Sequence, residues 1–212
     1  AGGSIGSELC RQISKFPVAE LVLLDFSETA LFEIADEILS QEGAPPVEVS
    51  LCDIRFPDDL REVFERARPD VVYHAAACKH VPMMERHPLE AARTNVLGTR
   101  NMLQAAKAVG VKRFMHVSTD KAVNPRGIMG ASKAWGEKLV REAGYSCVRF
   151  GNVLGSSGSV IPLFEKQWSR TGTLQVTHKD ATRYFMTLEE AVLLILHAEC
   201  LVDHGETYVL DM

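Results

Sequence analysis

The chain has 212 residues, a net charge of −5 at pH 7 and 46% hydrophobic residues. This length allows one α/β domain with a sizeable core, and the lack of a basic cluster argues against nucleic acid or an anionic membrane surface as a partner. The longest apolar run, Ala191–Leu196, is too short to span a bilayer, so we interpret it as buried helix.

The first residues, AGGSIG, are rich in glycine and lead into a predicted helix over Ile5–Lys15. Glycines let the backbone approach a pyrophosphate, and a helix N-terminus stabilises its charge, so we predict that Gly3, Ser4, Ile5 and Gly6 bind a dinucleotide. A flexible tail is the alternative. No strand precedes this segment, although the first strand of a doubly wound sheet lies near its centre. We therefore expect two unpaired central edges and a longer parent chain.

A fully apolar strand over Glu20–Asp25 and a helix over Ser27–Gln41 are predicted next. Asp25 follows Gly6 at roughly the 20-residue spacing of the acid that binds an adenosine ribose in dinucleotide-binding folds. A carboxylate at this place repels a 2′-phosphate, so we predict NAD rather than NADP as the cofactor. The alternative is that Asp25 only caps the following helix.

The middle of the chain continues to alternate strands and helices, which is typical of a parallel sheet. Ala75, Ala76 and Ala77 end one strand; their small side chains leave room for a dinucleotide backbone or, alternatively, reflect tight helix packing. The predicted elements are a strand over Val47–Leu51, a helix over Pro57–Ala67, a strand over Asp70–Ala77, a loop over Cys78–Pro88 and a helix over Leu89–Gly110.

The most informative stretch is VSTDKAVNPRGIMGASK, Val117–Lys133. A strand over Phe114–Val117 ends here, and a helix begins near Met129, which places Met129 and Lys133 one turn apart on one face. Ligands bind at the carboxyl ends of strands in open α/β sheets, so we predict a site at this strand end. The polar residues released at the strand tip are Ser118, Thr119, Asp120 and Lys121.

The remaining residues complete one α/β unit over residues 1–212, a Rossmann-like doubly wound parallel sheet with a small C-terminal substrate lobe over about 151–212. Its first strand is absent from this chain, which we expect to be truncated at both ends. The predicted elements are a helix continued over Ala134–Ala143, a strand over Ser146–Phe150, a helix over Val160–Arg170, a short strand over Leu174–Thr177, a helix over Leu188–Leu201 and a strand over Glu206–Met212.

Val117–Lys133 resembles the active site of the extended short-chain dehydrogenase/reductase superfamily, which places a Ser after one strand and Tyr-x-x-x-Lys on the next helix. Ser118 and Lys133 match this pattern, while Met129 stands at the Tyr position. Ser-Thr-Asp-Lys followed by Met-x-x-x-Lys is similar to the UDP-N-acetylglucosamine 4,6-dehydratases of capsule and glycan biosynthesis (CapD-like). The resemblance spans the chain and implies NAD-dependent dehydration of a UDP-N-acetylhexosamine, UDP-GlcNAc, with retained C5 configuration.

The resemblance also implies roles for the residues at the strand tip. Asp120 would give a proton to the leaving C6 hydroxyl, if its site keeps it protonated, and Lys121 would remove the C5 proton, if burial lowers its pKa. Thr119 and Ser118 would bond the C4 oxygen. Lys133 would bind the nicotinamide ribose and add positive potential.

Further contacts follow from the same resemblance. Asp53 would accept from the adenine amine, and Ile54 would pack on the ring. Asn95 would hold its helix open and orient Lys133 through water; the alternative is a buried polar residue bonded to backbone. Arg183 would bind the diphosphate of the substrate; the alternative is a lone surface arginine. The substrate-binding residues implied are Lys79, His80, Asn152 and Arg183.

Met129 is the departure from the superfamily pattern, because a thioether cannot exchange a proton. The group that takes the C4 hydroxyl proton is therefore left open. Two alternatives to the dehydratase remain: a sugar-nucleotide 4-epimerase or reductase of the same fold, and a non-catalytic NAD-binding module.

The partners we expect are a UDP-sugar and further copies of the chain in a homo-oligomer. The scattered cysteines, with no C-x-x-C, indicate reduced thiols and a cytoplasmic catalytic domain, with a disulfide pair as the alternative. A membrane-anchored region in the longer parent chain is a further expectation. His74, His80 and His87 lack ligand partners at metal-binding spacing, and we expect no metal site.

Overall fold

A computed structural model describes residues 1–156, 158–176, 178–201 and 205–212 of the chain. Parallel strands alternate with helices, which confirms the predicted α/β class. The strands are β1 (Leu21–Asp25), β2 (Val47–Leu51), β3 (Val71–His74), β4 (Arg113–Val117), β5 (Ser146–Arg149), β6 (Asn152–Val153), β7 (Phe185–Met186) and β8 (Thr207–Val209).

The helices differ from the predicted ones mainly between residues 78 and 110. Where one loop and one long helix are predicted, the structure has three short α-helices and a π-helical segment. The α-helices are α1 (Ser4–Ile13), α2 (Glu28–Leu39), α3 (Pro57–Ala67), α4 (Val81–Arg86), α5 (Pro88–Ala91), α6 (Thr99–Val109), α7 (Ile128–Glu142), α8 (Val160–Thr171) and α9 (Leu188–Cys200); the π segment is Ala92–Gly98, and a 3₁₀ turn covers Asp120–Ala122.

The strands form separate parallel sheets rather than one continuous sheet. β1 pairs with β2, and β3, β4, β5 and β8 form a second sheet in that order. Within the described part of the chain no strand joins β1 to β3, so each presents an edge of backbone groups without a strand neighbour. The predicted interruption at the centre of the sheet is therefore confirmed.

Helices cover both faces of the larger sheet, as the doubly wound arrangement predicts. Successive residues of β4 point to opposite faces. Phe114 packs in one core cluster with residues of α3, α6 and α7, and Met115 packs in another with residues of α1 and α9. Side chains at the end of β4 are consequently fixed by packing from both sides.

Three predicted strands need correction. The strand predicted over Asp70–Ala77 ends at His74, so Ala75, Ala76 and Ala77 lie beyond it. Residues 174–176 are not a strand, and Thr177 lies outside the described residues. The final strand covers only Thr207–Val209.

The pairing of β6 with β7 is absent from the prediction, because two-residue strands leave no periodic pattern. In the segment predicted as substrate lobe, β8 pairs with β5 and α9 packs against α1.

Candidate active site

The end of β4 carries three residues that we call the exposed tip: Thr119, Asp120 and Lys121. The backbone N–H of Asp120 donates to the carbonyl of Phe150 at 3.0 Å, so the chain stays attached to the end of β5. Gly130 of α7 approaches the carbonyl of Lys121 so closely that a Cβ there would collide with it. The exposed tip is therefore held by backbone contacts on two sides, and Gly130 is a packing constraint that the sequence does not reveal.

The side chains of the exposed tip converge on one carboxylate. Asp120 Oδ1 accepts from Lys121 Nζ at 2.9 Å and from Thr119 Oγ1 at 2.8 Å. Lys121 Nζ also donates to Asn152 Oδ1 at 3.4 Å, which brings a predicted substrate-binding residue to the same place. The side chains of Lys121 and Asp120 are 36% and 46% exposed, so a ligand can reach both.

Asp120 does not meet the condition that its predicted acid role requires. Burial works to raise its pKa, but hydrogen bonds from Lys121 and Thr119 outweigh burial, and the pKa lies below its ordinary value. The carboxyl is therefore ionised at neutral pH in this arrangement. The acid role then needs a change at the site, because an ionised carboxylate has no proton to give.

Below the exposed tip lies a set of residues that we call the buried floor: His116, Ser118, Lys133 and Glu137. Ser118 Oγ donates to Glu137 Oε1 at 2.5 Å, and Glu137 is 1% exposed. Arg149 holds the same carboxylate from β5 through two N–H groups, with Nε at 2.8 Å from Oε1. The hydroxyl proton of Ser118 is thus committed to Glu137, and Ser118 is left only as an acceptor for any ligand.

Lys133 occupies a different part of the buried floor. Its Nζ donates to the carbonyl of Val117 at 2.6 Å and lies 3.1 Å from His116 Nε2. Burial lowers the pKa of Lys133 to about 8. This position agrees with the prediction that Lys133 lies beside the strand end. The sequence does not single out His116, because a histidine inside an apolar strand resembles ordinary core.

Met129 lies one turn before Lys133 on α7, as predicted, but it faces an apolar cluster. The side chain is 4% exposed and packs with Met84 and Ala91, with Cys78 against them. A thioether suits this irregular apolar space.

Asn95 lies in the π segment and ties two neighbouring elements together. Its Oδ1 accepts from Cys78 N at 2.8 Å, and its Nδ2 donates to Cys78 O at 3.0 Å and to Ser132 Oγ at 2.9 Å. These bonds agree with the alternative of a buried polar residue bonded to backbone. π-helical turns often accompany functional sites, and here the turn places Asn95 between the loop after β3 and α7.

The N-terminal residues lie beside Asp25, as the dinucleotide interpretation requires. Gly2 N donates to Asp25 Oδ2 at 2.7 Å, and Ser27 N donates to Oδ1 at 3.0 Å. The cap of α2 is Ser27, whose side chain accepts from Ala30 N. The alternative in which Asp25 itself caps α2 is therefore wrong.

Asp53 and Ile54 are less available than predicted. Arg55 binds the Asp53 carboxylate through Nε at 2.8 Å and 3.0 Å. Ile54 is 5% exposed and lies where a Cβ on Gly98 would collide with it. Asp53 therefore starts from an ion pair, and Ile54 packs under the π segment rather than at the surface.

The other predicted substrate-binding residues are spread around the site. His80 lies next to Gly158, where a Cβ would approach its ring at 2.5 Å. Lys79 is exposed in the loop before α4. Arg183 is exposed and donates to the carbonyl of Thr182 at 2.6 Å, so the structure does not join it to the exposed tip.

The described residues show neither a cluster of metal ligands nor a membrane-spanning helix. No group of three His, Cys, Asp or Glu side chains among them is placed to hold a metal ion. None of their helices combines the length and the apolar character needed to cross a membrane.

The family follows from comparison with known proteins. A family model described as polysaccharide biosynthesis protein matches residues 1–212. The chain belongs to this family. Capsular polysaccharide biosynthesis protein CapD of Staphylococcus aureus is 46% identical over 100% of this chain. A UDP-glucose 4-epimerase of Rickettsia bellii is 40% identical over 98% of it. The chain spans 37% of the length of CapD and 63% of the length of the epimerase.

Solved structures of other proteins have the same fold as this chain. Pen from Bacillus thuringiensis superposes with a TM-score of 0.92 at 33% identity, covering 100% of this chain and 66% of that one. The dTDP-glucose 4,6-dehydratase DesIV from Streptomyces venezuelae, solved with NAD bound, gives a TM-score of 0.85 at 24% identity over 98% of this chain and 72% of that one. At that identity the second likeness shows the fold alone.

Proposed function

We propose that this chain is the catalytic part of an NAD-dependent lyase that dehydrates a UDP-N-acetylhexosamine, UDP-N-acetylglucosamine first of all, to the 4-keto-6-deoxy sugar nucleotide. The observation that carries the proposal is the exposed tip, where a carboxylate and an ammonium group lie 2.9 Å apart at a strand end. Loss of water across C5 and C6 needs one acid and one base close together. Asp120 and Lys121 supply that pair.

The residues at the start of α1 fit the diphosphate of NAD. Gly3 is the N-cap and offers no capping side chain, while the first amides of any helix lack intrahelical acceptors. A Cβ on Gly3 would meet no atom within 4 Å, and its φ of −73° is open to any residue. Neither packing nor backbone conformation requires glycine here, so the open space suits close approach of a phosphate.

Asp25 fits the ribose end of the same cofactor. A carboxylate has about four lone-pair sites, so acceptor capacity remains beyond the bonds from Gly2 N and Ser27 N. When bound, NAD would take a hydride from the sugar and later return one, without net oxidation. The residues of this chain bind it, orient the sugar and move the protons.

The protons of the elimination are assigned to the exposed tip. As the sugar binds, the Lys121 ammonium passes one proton to the Asp120 carboxylate across their hydrogen bond. The neutral amine of Lys121 then takes the proton from C5, and Asp120 gives its proton to the C6 hydroxyl, which leaves as water. Asp120 becomes a competent acid once a bound sugar separates it from Lys121 and Thr119, because burial alone raises its pKa. Thr119 Oγ1, freed from Asp120, bonds the C4 oxygen. Lys133 contributes positive potential from below.

Relatives support this proposal but also favour a second candidate. CapD of S. aureus is a capsular polysaccharide biosynthesis protein, whereas the R. bellii relative is a UDP-glucose 4-epimerase. An epimerase exchanges the C4 configuration and needs no acid–base pair at C5 and C6. The Asp120–Lys121 pair is therefore the feature that favours dehydration.

The decisive experiment uses the full-length protein with UDP-N-acetylglucosamine, with the product followed by proton NMR. A 4-keto-6-deoxy product supports the proposal, and deuterium incorporated at C5 from D₂O reports the proton removal there. A C4 epimer without deuterium at C5 would support the epimerase. Absence of any product with intact UDP-sugar binding would support a non-catalytic module.

Cofactor choice is tested on the same protein by calorimetry with NAD and NADP. We expect NAD to bind more tightly, because Asp25 repels a 2′-phosphate. Equal or tighter binding of NADP would overturn the role of Asp25, whatever the product of the reaction is.

A further inference from the structure

Lys133 is the buried cation of the site, and the structure gives it two neighbours. Its Nζ donates to the carbonyl of Val117 at 2.6 Å and lies 3.1 Å from His116 Nε2. Lys133 is 5% exposed and His116 is 0% exposed. A buried ammonium group is stable only where its N–H donors have acceptors. Each of the two neighbours therefore helps to fix the position of Nζ.

The direction of the bond to His116 follows from the chemistry of the two groups. An ammonium group only donates, so His116 Nε2 accepts and the imidazole is neutral, with its proton on Nδ1. Burial first and the charge of Lys133 second lower the pKa of His116 well below its ordinary value, which agrees with a neutral ring. Among the described residues His116 Nδ1 has no hydrogen-bond partner. The ring therefore leaves its buried Nδ1–H unsatisfied, which costs free energy, while Nε2 accepts from Lys133.

The ring of His116 is held in this orientation by packing. It packs against the ring of His74 on the neighbouring strand, with the two centroids 4.9 Å apart and the ring planes tilted by 39°. Gly136 of α7 lies above it, and a Cβ there would come within 3.3 Å of Nε2. A ring with this little freedom fixes the position of whatever binds to it.

We propose that His116 is a positioning residue, whose Nε2 holds the ammonium group of Lys133 against the Val117 carbonyl at the base of the strand end. The proposal deepens the proposed function, on which it rests for the use that the reaction makes of Lys133. His116 touches neither sugar nor cofactor in this assignment. It acts only through Lys133.

The other titratable groups that face Lys133 do not replace His116. On β3, His74 directs Nε2 to Thr99 Oγ1 at 2.9 Å. On α7, Glu137 is bound by Ser118 and Arg149. On β5, burial raises the pKa of Cys147 to about 12, so its thiol is neutral. Among these groups, His116 is therefore the side chain that accepts a hydrogen bond from the Lys133 ammonium.

The test is the titration of Lys133 in the full-length protein labelled with ¹³C at lysine Cε, its resonance assigned by its loss in Lys133→Arg. We expect a midpoint at about pH 8 in the unmodified protein. Loss of one hydrogen bond to a charged group in His116→Phe should lower the midpoint by about 1 pH unit. His74→Phe is the matched control, since it alters the neighbouring ring and leaves Nε2 of His116 in place.

Two polar variants keep the test decisive if the Phe variant does not fold. The amide of Gln reaches the place of Nε2, so His116→Gln should keep the midpoint. The shorter amide in His116→Asn should lower it as His116→Phe does. An unchanged midpoint in His116→Asn would overturn the positioning role. So would a midpoint that falls in His116→Gln and His74→Phe by as much as in His116→Asn.

Product formation over a pH series separates this inference from the proposed function. We expect the limb of the rate profile that follows Lys133 to move with the NMR midpoint in His116→Asn. Turnover whose profile stays fixed while the midpoint moves would show that His116 does not act on the reaction. A protein without dehydratase activity would overturn the proposed function and leave the NMR result to decide the contact itself.

Discussion

Lys121 and Lys133 each bring an ammonium group to one strand end, the first partly exposed and the second buried. Lys121, in the exposed tip, pairs with a carboxylate and remains 36% exposed in its side chain. Lys133, in the buried floor, has a carbonyl and a neutral histidine as partners, and burial lowers its pKa to about 8. Solvent screens the first charge, whereas the protein alone must stabilise the second.

The difference separates two tasks. Hydrogen bonds within the exposed tip can be replaced by bonds to a ligand at little cost in free energy, because these groups are already partly solvated. The exposed tip therefore suits proton transfer. The buried floor has its donors and acceptors matched inside the protein, and a change there leaves an unpaired group in the core. We therefore expect substitutions in the exposed tip to affect turnover and those in the buried floor to affect stability.

The largest effect is expected for turnover in the exposed tip. Lys121→Ala and Asp120→Asn should each lower turnover of the UDP-sugar by about 10²–10⁴-fold, the scale for a lost base or acid. Unfolding free energy should change by less than about 1 kcal/mol, because the pair is exposed. Lys138→Ala, an exposed lysine of α7, is the control. Near-normal turnover in either variant would remove that residue from the mechanism.

The buried floor should respond in the opposite sense. Glu137→Ala leaves Arg149 and Ser118 without their shared partner, so the free energy of unfolding should fall by about 3–5 kcal/mol. Urea denaturation followed by the fluorescence of Trp135, on the same helix, measures it. Glu142→Ala removes an exposed acid of α7 and should cost less than about 1 kcal/mol. Equal losses in the two variants would contradict the distinction between the layers.

Met129 lies in an apolar cluster one turn before Lys133, and its substitution should give an intermediate effect. Met129→Tyr forces a larger ring into the cluster of Met84 and Ala91, which should cost about 1–3 kcal/mol. The rate of the first oxidation, read from the absorbance of enzyme-bound NADH, should not rise, because a ring held in this apolar cluster does not act on the sugar as an acid or base. Met129→Leu is the volume-matched control. A clear rise with Tyr would mean that the native site lacks a C4 acid/base.

The smallest effect concerns the acid dependence of stability. The native pKa of Asp120 is lowered from 3.8, so its contribution is present above about pH 4 and is lost as pH falls through the native value. At neutral pH Asp120→Asn should cost about 0.2–1 kcal/mol, and this cost should shrink below pH 4. Urea denaturation of both proteins at pH 7 and pH 3 measures it. A cost that grows in acid would reverse the sign assigned here.

Local patterns were sufficient for most of the framework. The strands β1 and β2 and the helix α3 lie where they are predicted, because the patterns that indicate them need only near neighbours. The π segment breaks a helix predicted as continuous. Asn95, inside this segment, binds Cys78 and Ser132, which lie outside the helix, and such long-range contacts leave no periodic signal.

The order of residues is enough to show which chemical groups follow β4 and that Met129 stands one turn before Lys133. Tertiary structure alone decided what each group can do. Ser118 is turned to Glu137, Asp120 is ionised by Lys121, and Lys133 rests on His116. The physical reason is that burial and hydrogen-bond partners set protonation and orientation, and elements distant in the chain supply both.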